Sequence, residues 1–597
     1  MAVAVGFTFP PTHDSAAVVV LDGKLVFAAE EERYTRHKRS KGEPPFRSLI
    51  AALEYLRNFG IDPQDVDAFA TNWDPKLLPI AWRFGEFMWS LDSSVGRANL
   101  GGGRSRARNY LSWAMRGFNW VDIARLFLTK VYAKIGAPFP HDVKIVPVMH
   151  HLAHAASAYY FSGFHSSVVV TIDGQGERDS TVVWRVDNGE FENIGHTTKE
   201  DGSLGLLYEL VSEKLGFDRF EGPGKVMGLA PYGSNDRLFA SRFDGLVITN
   251  GRDSPYVFAD AFRTKRKMRT NEVDEMYRRI SDFLAGEVDL NWNHRKEISR
   301  PAANLAWQLQ HFTEETVMAT AKWAKEQTGE RNISLAGGVA LNAKANMELL
   351  YSKMYNDLFI FPAANDAGTA IGAAAYVYEH AIGGKMRNER LEDVYLGLGY
   401  GEEIVKKVVK DSKWNAEHIG GDVTEVAKLV SRGKVVAWYQ GRAELGPRAL
   451  GNRSIIADPT SKTTWKKVNE IKGREFWRPL APSVLDKDRD VYFRDAVDHR
   501  FMVLMFEMTK EGTKRAPAVS HVDNTARPQT VTKNSNPRWY NLIKAFESTN
   551  GEGIIVNTSF NLAGEPLVET PKEALSSFAI GGFDAIYLEG WLIRKHS

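Results

Sequence analysis

The sequence contains no cysteine among its 597 residues. Disulfides, zinc–thiolate sites, iron–sulfur clusters and thiol nucleophiles are therefore excluded, and any metal must be held by histidine, carboxylate or water. A large excess of charge is also absent, because the sequence contains 76 Lys and Arg and 74 Asp and Glu. This balance argues against a general nucleic-acid binder. No run of about 18 apolar residues occurs, so no membrane-spanning helix is expected.

The composition is that of an ordinary folded chain, with 43% hydrophobic and 25% charged residues, which excludes a disordered protein. The first residues are apolar, but no basic residue precedes Lys24. Pro10, Pro11 and His13 also interrupt this stretch. A secretory signal peptide needs a positive start and an unbroken apolar segment, so none is expected. We therefore predict a cytoplasmic enzyme.

Two segments share a pattern of strand, Asp-Gly turn and strand. Residues 17–32 are AVVVLDGKLVFAAEEE, and residues 168–185 are VVVTIDGQGERDSTVVWR. An Asp-Gly pair between β-branched runs predicts a hairpin. We interpret the chain as an α/β fold with a duplicated unit. In actin, the heat-shock chaperone ATPases and the sugar kinases, this duplication places the two turns around nucleotide phosphates.

Two further segments define the expected domain organisation. Residues 74–140 are rich in Trp and Arg and predict a helical insertion. This insertion is either a structural cap over a cleft or an acceptor-binding lid. The charged stretch KMRNERLED at 385–393 marks a boundary between a large N-terminal domain (1–390) and a smaller C-terminal domain (391–597).

Four residues are candidate metal ligands. His150 and His154 lie four residues apart, so that both imidazoles face one side of a helix, a geometry that chelates one metal ion. Asp173 ends a predicted strand, and Asp366 lies at a strand-to-helix junction. Histidines and carboxylates without thiolate suit Fe(II), Mn or Zn rather than Cu(I). The alternative is that both histidines are hydrogen-bonded residues of the core.

A candidate nucleotide-binding turn lies within residues 333–350, ISLAGGVALNAKANMELL, which predict a strand, a glycine turn and a helix. Gly337 and Gly338 allow close approach of the backbone to a ligand, and the helix N-terminus favours anions. Asn342 is placed to contact a ribose or a base. Because the segment is neither a P-loop nor a GxGxxG motif, tight packing of strand on helix is an equal alternative.

A basic stretch lies between residues 442 and 478, which contain nine basic residues and four acidic ones. We expect the excess of five positive charges to lie in loops, because Gly446, Pro447, Pro479 and Pro482 interrupt the stretch. Arginine binds phosphate through two parallel hydrogen bonds, so the stretch predicts a small-anion pocket. Arg527 is a candidate to join it. The alternative, a surface patch for nucleic acid, is disfavoured by the few interleaved aromatic residues.

Nine motifs in this order resemble those of the O-carbamoyltransferases of the nodulation-protein-U and cephem-carbamoyltransferase family. The resemblance covers nearly the whole chain outside the predicted insertion. The motifs are THDSAAVVVLDGKLVFAAEEERYTRHK, HHLAHAASAYYFSGF, EGPGKVMGLAPYG, AGGVALNAKAN, NDAGTAIGAAAY, GRAELGPRALGNRSII, KGREFWRPLAPSV, HVDNTARPQTV and NTSFNLAGEPLVETPKEA.

The resemblance implies a fold and a reaction. The N-terminal domain is expected to resemble the tRNA threonylcarbamoyl-adenosine-forming proteins, with the duplicated actin-like core, and the C-terminal domain to resemble YrdC. Carbamoyl phosphate and ATP, the latter with Mg, would give carbamoyl-adenylate in the C-terminal domain. A metal in the N-terminal domain, Fe(II) first among the candidates, would hold this adenylate while an acceptor hydroxyl attacks it.

The resemblance also implies roles for individual residues. His13 matches the general base. Lys38 matches a basic residue that contacts the adenylate, although Arg36, Arg39 and Lys41 compete for this match. The motifs assign metal binding to His150, His154, Asp173 and Asp366, and carbamoyl-phosphate and triphosphate contacts to Arg448, Lys472, Arg478 and Arg527. Leu562 and Ala563 stand where relatives often carry a basic residue.

The expected partner is a small-molecule or sugar acceptor with a free hydroxyl, with neither nucleic acid nor membrane, and a homodimer is allowed. Two alternatives are kept. The first is a tRNA threonylcarbamoylation enzyme, which the near-zero net charge disfavours. The second is a non-catalytic ATP switch of the actin or heat-shock chaperone type, for which the arginine-rich second domain has no use.

Overall fold

Two five-stranded sheets with the same strand order form the N-terminal part of the protein. The computed structural model describes residues 1–9, 13–74, 76, 120–249, 251–263, 270–286, 289–290 and 292–595. In spatial order the first sheet is β3 (Lys24–Glu30), β2 (Ala16–Leu21), β1 (Val3–Phe7), β4 (Ala68–Thr71) and β5 (Lys144–Pro147). The second is β8 (Glu190–Thr198), β7 (Asp179–Asp187), β6 (Ser166–Ile172), β11 (Asn332–Ala336) and β12 (Asp357–Ile360). The repeated order confirms the predicted duplication.

The described helices connect and cover these sheets. In chain order they are α1 (Glu32–Thr35), α2 (Phe46–Leu56), α3 (Trp120–Ile135), α4 (His150–Tyr160), α5 (Leu204–Lys214), α6 (Gly222–Leu229), α7 (Arg237–Phe243), α8 (Thr270–Ala285), α9 (Arg300–Thr328), α10 (Ala343–Tyr351), α11 (Asp366–Val377), α12 (Glu402–Asp411), α13 (Thr424–Ser431), α14 (Lys462–Ile471), α15 (Arg489–Tyr492), α16 (Lys510–Arg515), α17 (Pro537–Asn550) and α18 (Pro571–Ile580).

Both predicted hairpins are present. In the first, Asp22 and Gly23 form the turn with φ of 47° and 72°, the left-handed pair that a two-residue hairpin requires. All of β2 is buried, because α2 covers one face of its sheet and α11 the other. Val18 and Val20 pack into one core and Val19 into the other. This two-sided burial explains the unbroken apolar run in the sequence.

Helices α4 and α11 pack against each other between the two sheets, with α4 on the second sheet and α11 on the first. A Cβ atom added to Gly372 of α11 would lie 1.7 Å from the carbonyl oxygen of Ala153 in α4. Only glycine therefore allows the two backbones to approach this closely. The close packing brings the N-terminal ends of α4 and α11, which carry His150 and Asp366, to one point.

An eight-stranded sheet forms the C-terminal part of the protein. Its order is β13 (Ala416–His418), β22 (Trp591–Arg594), β21 (Ala585–Leu588), β14 (Val436–Tyr439), β15 (Arg453–Ala457), β20 (Ile554–Ser559), β16 (Ala481–Leu485) and β19 (Gln529–Val531). Trp438, Trp539 and Tyr587 are completely buried in a core on one face of this sheet. Two smaller sheets pair β9 (Val247–Thr249) with β10 (Tyr256–Phe258), and β17 (Phe506–Glu507) with β18 (Thr525–Ala526).

The three large sheets separate along the chain. Among the described residues, the first two sheets end at Ile360 and the third begins at Ala416. The predicted boundary at 390/391 falls in this interval and stays a prediction. Of the predicted insertion at 74–140, residues 75 and 77–119 lie outside the described residues, and α3 follows them. Within the described ranges, no helix is both long and apolar enough to cross a membrane.

Candidate active site

Four side chains predicted as metal ligands meet at one point. His150 and His154 lie one turn apart at the start of α4, Asp173 follows β6, and Asp366 begins α11. The nearest ligand atoms of all four lie within 4.8 Å of one another. We call these four residues the histidine–aspartate group. The fold therefore brings together residues that are up to 216 positions apart in the sequence (366 − 150).

The donor atoms of this group face one another. Nε2 of His150 is 3.2 Å from Oδ2 of Asp173 and 3.7 Å from Oδ1 of Asp366. Nε2 of His154 is 3.8 Å from each of the same two oxygens. Burial lowers the pKa of His154, but the carboxylates of Asp173 and Asp366 outweigh it and raise this pKa to about 9. The histidines in turn hold the pKa of Asp173 well below its ordinary value, although burial opposes this.

The histidine–aspartate group fits a divalent transition metal. Both imidazoles are completely buried, and across the described residues neither ring nitrogen of His154 has a hydrogen-bond partner. Histidines that only fill a core have their nitrogens bonded, as buried polar groups normally are. Two imidazole nitrogens opposite two carboxylates are instead the donor set that Fe(II), Mn and Zn accept. Metal binding itself stays a prediction.

Neighbouring groups hold His150 and Asp173 in place. The carboxylate of Glu177 accepts the backbone N–H of His150 at 3.0 Å, so it caps the start of α4. The backbone N–H of Gly338 donates to Oδ1 of Asp173 at 2.8 Å. The ring of His150 stacks on Trp73 at a centroid distance of 4.1 Å. No sequence motif marked Glu177 or Trp73 as parts of the site.

His151, between the two predicted ligands of α4, is a hydrogen-bonded histidine of the core. Its Nδ1 bonds Oγ1 of Thr171 at 2.8 Å, and its Nε2 bonds the carbonyl oxygen of Asp179 at 2.9 Å. Burial, with the nearby charges of His150 and His154, lowers the pKa of His151 to about 3. Both ring nitrogens are therefore used, and His151 stays neutral outside the histidine–aspartate group.

His13, the predicted base, lies beside the histidine–aspartate group. Its Nε2 is 3.9 Å from Oδ2 of Asp366, and its Nδ1 is 3.0 Å from Oδ2 of Asp14. The ring of Phe220 lies 4.8 Å away between centroids. Burial lowers the pKa of His13, but Asp366 and Asp14 outweigh it and raise this pKa to about 9. This pKa is above the near-neutral value expected from the sequence, because two carboxylates flank the imidazole.

A second group of charged residues comes from the C-terminal sheet and its loops. Burial, together with the charges of Arg478 and Arg39, lowers the pKa of Arg448 to about 10. Burial and Arg478 lower the pKa of Arg474 to about 9. The pKa of Arg527 is lowered by burial and by Arg448. We call Arg448, Arg474, Arg478 and Arg527 the arginine cluster.

The arginine cluster has the properties of a site for a multiply charged anion. The Nε atoms of Arg448 and Arg527 are buried and, over the described ranges, have no hydrogen-bond partner. Guanidinium groups repel one another when they are buried together, so a phosphate among them would relieve both the repulsion and the missing bonds. Arg474 belongs to the basic stretch, but the sequence did not single it out as a site residue.

The prediction that the basic stretch lies in loops is wrong in part. Lys462, Lys466 and Lys467 lie on α14, where Lys466 pairs with Glu470 and Lys467 with Asp584. Ser461 caps the N-terminus of α14, because its side chain accepts the backbone N–H of Thr463. Arg453 is completely buried on β15, where its guanidinium lies 3.6 Å from the ring centroid of Tyr439.

Lys472 lies at the loop in which Leu562 and Ala563 depart from the family pattern. Its Nζ donates to Oγ of Ser559 and to Oδ1 of Asn561, each at 3.0 Å. Burial lowers the pKa of Lys472 well below its ordinary value, and Arg474 and Lys38 add to the effect. The amino group of Lys472 thus contacts the loop in which Leu562 and Ala563 stand in place of a basic residue.

The residues predicted to bind nucleotide occupy different places. Lys38 pairs with Glu221 at 3.1 Å and is about one-third exposed. Gly337 has φ 89°, and a Cβ there would lie 2.3 Å from the carbonyl oxygen of Ile172, so the close approach of this turn to the end of β6 requires glycine. Asn342 caps α10 and exchanges two hydrogen bonds of 3.0 Å with Gln310. Their contact with a nucleotide stays a prediction.

Arg39 connects the two groups: its Nη1 is 3.1 Å from Oδ2 of Asp14 beside His13, and its charge contributes to the lowered pKa of Arg448 in the arginine cluster. Such a pairing of a histidine–carboxylate group with buried arginines suits a group-transfer enzyme. The chain belongs to the carbamoyltransferase family, because the family models described as Carbamoyltransferase N-terminus and Carbamoyltransferase C-terminus match residues 5–375 and 427–595. The resemblance seen in the motifs is thereby confirmed, and the protein is an enzyme of the transferase class.

Curated relatives agree with this assignment. The nodulation protein NolNO of Sinorhizobium fredii is 34% identical over 98% of this chain and 79% of its own. Nodulation protein U of Bradyrhizobium diazoefficiens is 28% identical over 98% of this chain and 96% of its own. The 3'-hydroxymethylcephem-O-carbamoyltransferase of Amycolatopsis lactamdurans is 27% identical over 94% of this chain and 93% of its own. Among solved structures, HypF of T. kodakarensis covers 65% of this chain and 49% of its own at 14% identity, with a TM-score of 0.29.

Proposed function

We propose that the protein is an ATP-dependent O-carbamoyltransferase that makes carbamoyl-adenylate at the arginine cluster and uses it at the histidine–aspartate group. The observation that carries this proposal is that Arg39 connects the two groups, since its guanidinium contacts Asp14 beside His13 and its charge acts on Arg448. Among the described residues, Arg448, Arg474 and Arg527 have no ion-pair partner, which favours a phosphate-bearing donor over a neutral one. The repeated strand order supports an actin-like N-terminal domain, and the C-terminal domain is assigned as YrdC-like.

The reaction has three balanced steps. Water cleaves carbamoyl phosphate to carbamate and phosphate. A carbamate oxygen then attacks the α-phosphorus of MgATP, and the bond to pyrophosphate breaks. The acceptor hydroxyl oxygen finally attacks the carbamoyl carbon of the adenylate, AMP leaves, and the hydroxyl proton passes to His13. The arginine cluster neutralises the phosphates in the first two steps, so that an anionic nucleophile can approach an anionic centre.

His13 is held for the proton transfer by the residues around it. Asp14 fixes Nδ1 at 3.0 Å, and Nε2 faces the histidine–aspartate group. His150, His154, Asp173 and Asp366 would hold the metal. A divalent cation there, with Fe(II) preferred over Mn or Zn, supplies polarisation of the carbamoyl carbonyl and offsets the Asp366 charge that raises the pKa of His13.

The acceptor is proposed to be a hydroxylated small molecule or sugar. The name of the cephem carbamoyltransferase identifies a hydroxymethyl group as the acceptor of that relative, and a 3'-hydroxymethylcephem is therefore one acceptor to test here. Neither nucleic acid nor membrane is part of the proposal, and a homodimer is compatible with it.

The test of the proposed function is whether carbamoyl phosphate makes the enzyme release pyrophosphate from ATP. We expect pyrophosphate only when both substrates and Mg²⁺ are present, with a carbamoyl-adenylate mass detected in quenched samples. Pyrophosphate that requires threonine and bicarbonate instead would indicate a threonylcarbamoylation enzyme. ATP turnover to ADP without carbamoyl phosphate would indicate a conformational switch. Either result would contradict the proposal.

We expect His13→Asn to separate the two halves of the reaction. Asparagine keeps a polar side chain but cannot take the acceptor proton, so AMP release should slow by about 100-fold while pyrophosphate release persists. Both rates can be followed in one single-turnover experiment with glycerol as the hydroxyl probe. Glycerol and water both release AMP when they accept the carbamoyl group.

His37→Asn is the matched control for this variant. His37 is 72% exposed and pairs with Glu43 rather than with the site, so both rates should equal those of the wild type. Equal loss of pyrophosphate and AMP in His13→Asn would assign His13 a nucleotide-binding or structural role and would contradict its role as the base.

A further inference from the structure

Three residues with positive φ that are not glycine meet next to His13. Asp14, Arg39 and Ser40 have φ of 52°, 61° and 42°. Such backbone is strained in residues other than glycine and persists only where surrounding contacts hold it. The backbone N–H of Asp14 donates to the carbonyl oxygen of Arg39 at 2.6 Å, and that of Arg39 donates to the Glu32 carboxylate at 2.6 Å. These bonds hold the segment that carries Arg39 against the residue that follows His13.

The side chain of Arg39 continues this connection. Its Nη1 is 3.1 Å from Oδ2 of Asp14, the same oxygen that lies 3.0 Å from Nδ1 of His13. Burial would raise the pKa of Asp14, but Arg39 and His13 hold it at about 2. The charged carboxylate of Asp14 therefore contacts both the guanidinium of Arg39 and the imidazole of His13.

The charge of Arg39 also contributes to the lowered pKa of Arg448 in the arginine cluster. Burial lowers the pKa of Arg39 itself, but the carboxylates of Asp14, Glu32, Glu221 and Glu209 outweigh it and raise this pKa. Arg39 thus interacts electrostatically both with the arginine cluster and with acidic residues of the N-terminal part. The neighbouring Lys38, which the motif comparison favoured for a role at the site, turns instead to Glu221.

We infer that Arg39 is a positioning residue for the transfer step: it holds Asp14, and through Asp14 it aims His13 at the acceptor hydroxyl. This inference rests on the proposed function. Adenylate formation takes place at the arginine cluster and does not use the Asp14–His13 pair. Loss of the Arg39 side chain should therefore slow AMP release while it leaves pyrophosphate release nearly unchanged.

Arg39→Gly is the decisive variant. Glycine adopts φ of 61° without strain, so this change removes the guanidinium while the backbone is relieved rather than stressed. We expect AMP release in a single turnover to slow by about tenfold, as when a group that supports a catalytic residue is removed. Pyrophosphate release should stay within about threefold of the wild type, since only a neighbouring positive charge is lost from the arginine cluster.

Lys413→Gly is the matched control. Lys413 is also a basic residue with a left-handed backbone, with φ of 61°, and it lies exposed after α12. It belongs to neither group of the site, so both rates should match the wild type. Arg39→Lys should recover part of the AMP rate, because an ammonium can still pair with Asp14.

The experiment uses the full-length enzyme with MgATP, radiolabelled carbamoyl phosphate and glycerol. The role of Arg39 would be overturned if Arg39→Gly slowed AMP and pyrophosphate release equally. It would also be overturned if Lys413→Gly slowed AMP release as much as Arg39→Gly, or if Arg39→Lys recovered none of the AMP rate. Absence of pyrophosphate from the wild type would instead overturn the proposed function and, with it, this inference. The two failures are therefore distinguishable in one set of measurements.

Discussion

Replacement of Arg448 by alanine is expected to slow carbamoyl-phosphate-dependent release of pyrophosphate by about 100-fold, the effect of losing one pre-placed donor to a charged transition state. Within the described part of the chain, Nε of Arg448 is buried without a hydrogen-bond partner, and the charges of Arg478 and Arg39 act on its guanidinium. An anion at the arginine cluster would supply the missing bond. Chemically synthesised carbamoyl-adenylate should still be converted to AMP by this variant, because the histidine–aspartate group is untouched.

Stability distinguishes this loss of function from misfolding. Burial, together with Arg478 and Arg39, lowers the pKa of Arg448 to about 10. The charged form of Arg448 is therefore less stable in the folded protein than in the unfolded chain, so that its burial costs folding free energy. Without phosphate, Arg448→Ala should therefore unfold at a temperature no lower than that of the wild type. Inorganic pyrophosphate should raise the unfolding temperature of the wild type and have less effect on the variant.

Lys466→Ala is the matched control, because Lys466 belongs to the same basic stretch but lies exposed on α14 near Glu470. Its rates should equal those of the wild type. Normal pyrophosphate release by Arg448→Ala, or equal loss in Lys466→Ala, would show that the donor does not bind at the arginine cluster.

The second large effect is expected for His154→Ala. Removal of one of four ligands should deplete the bound transition metal, as measured by elemental analysis of the purified enzyme, and slow AMP release by about 100-fold or more. Pyrophosphate release should continue, since the arginine cluster is intact. Active wild-type protein without any transition metal would contradict the assignment of the four ligands.

His151→Asn controls for changes in the helix that carries His154. Its amide can still bond Oγ1 of Thr171, which Nδ1 of His151 contacts at 2.8 Å, and His151 lies outside the histidine–aspartate group. Metal content and AMP release should stay near the wild-type values. Equal metal loss in both variants would show that α4, rather than a specific imidazole, determines binding.

Short-range patterns predicted much of the fold and part of the site. The Asp-Gly pair at 22–23 predicted its hairpin because a two-residue turn needs φ values that few residue pairs adopt. The spacing of His150 and His154 predicted one shared helix face, which depends only on the period of the helix. The motifs identified the family without any knowledge of distances.

Some expectations failed because they depend on which element a residue joins. The basic stretch divides into exposed lysines on α14, a buried arginine on β15 and members of the arginine cluster. The number of charges in a window cannot separate these environments, since burial depends on the elements that pack around them. The pKa of His13 likewise depends on Asp366, which lies 353 residues away (366 − 13).

The sequence by itself determined the hairpins, the duplicated unit, the helix face with its two histidines, and the family. Each follows from local backbone preferences or from residues in a fixed order. Only the tertiary structure decided that α4 and α11 approach closely enough to bring His150 and Asp366 together, and that Arg39 rather than Lys38 faces both Asp14 and Arg448. These contacts join residues far apart in the chain, and their distances depend on how the helices and sheets pack, which no short stretch of sequence specifies.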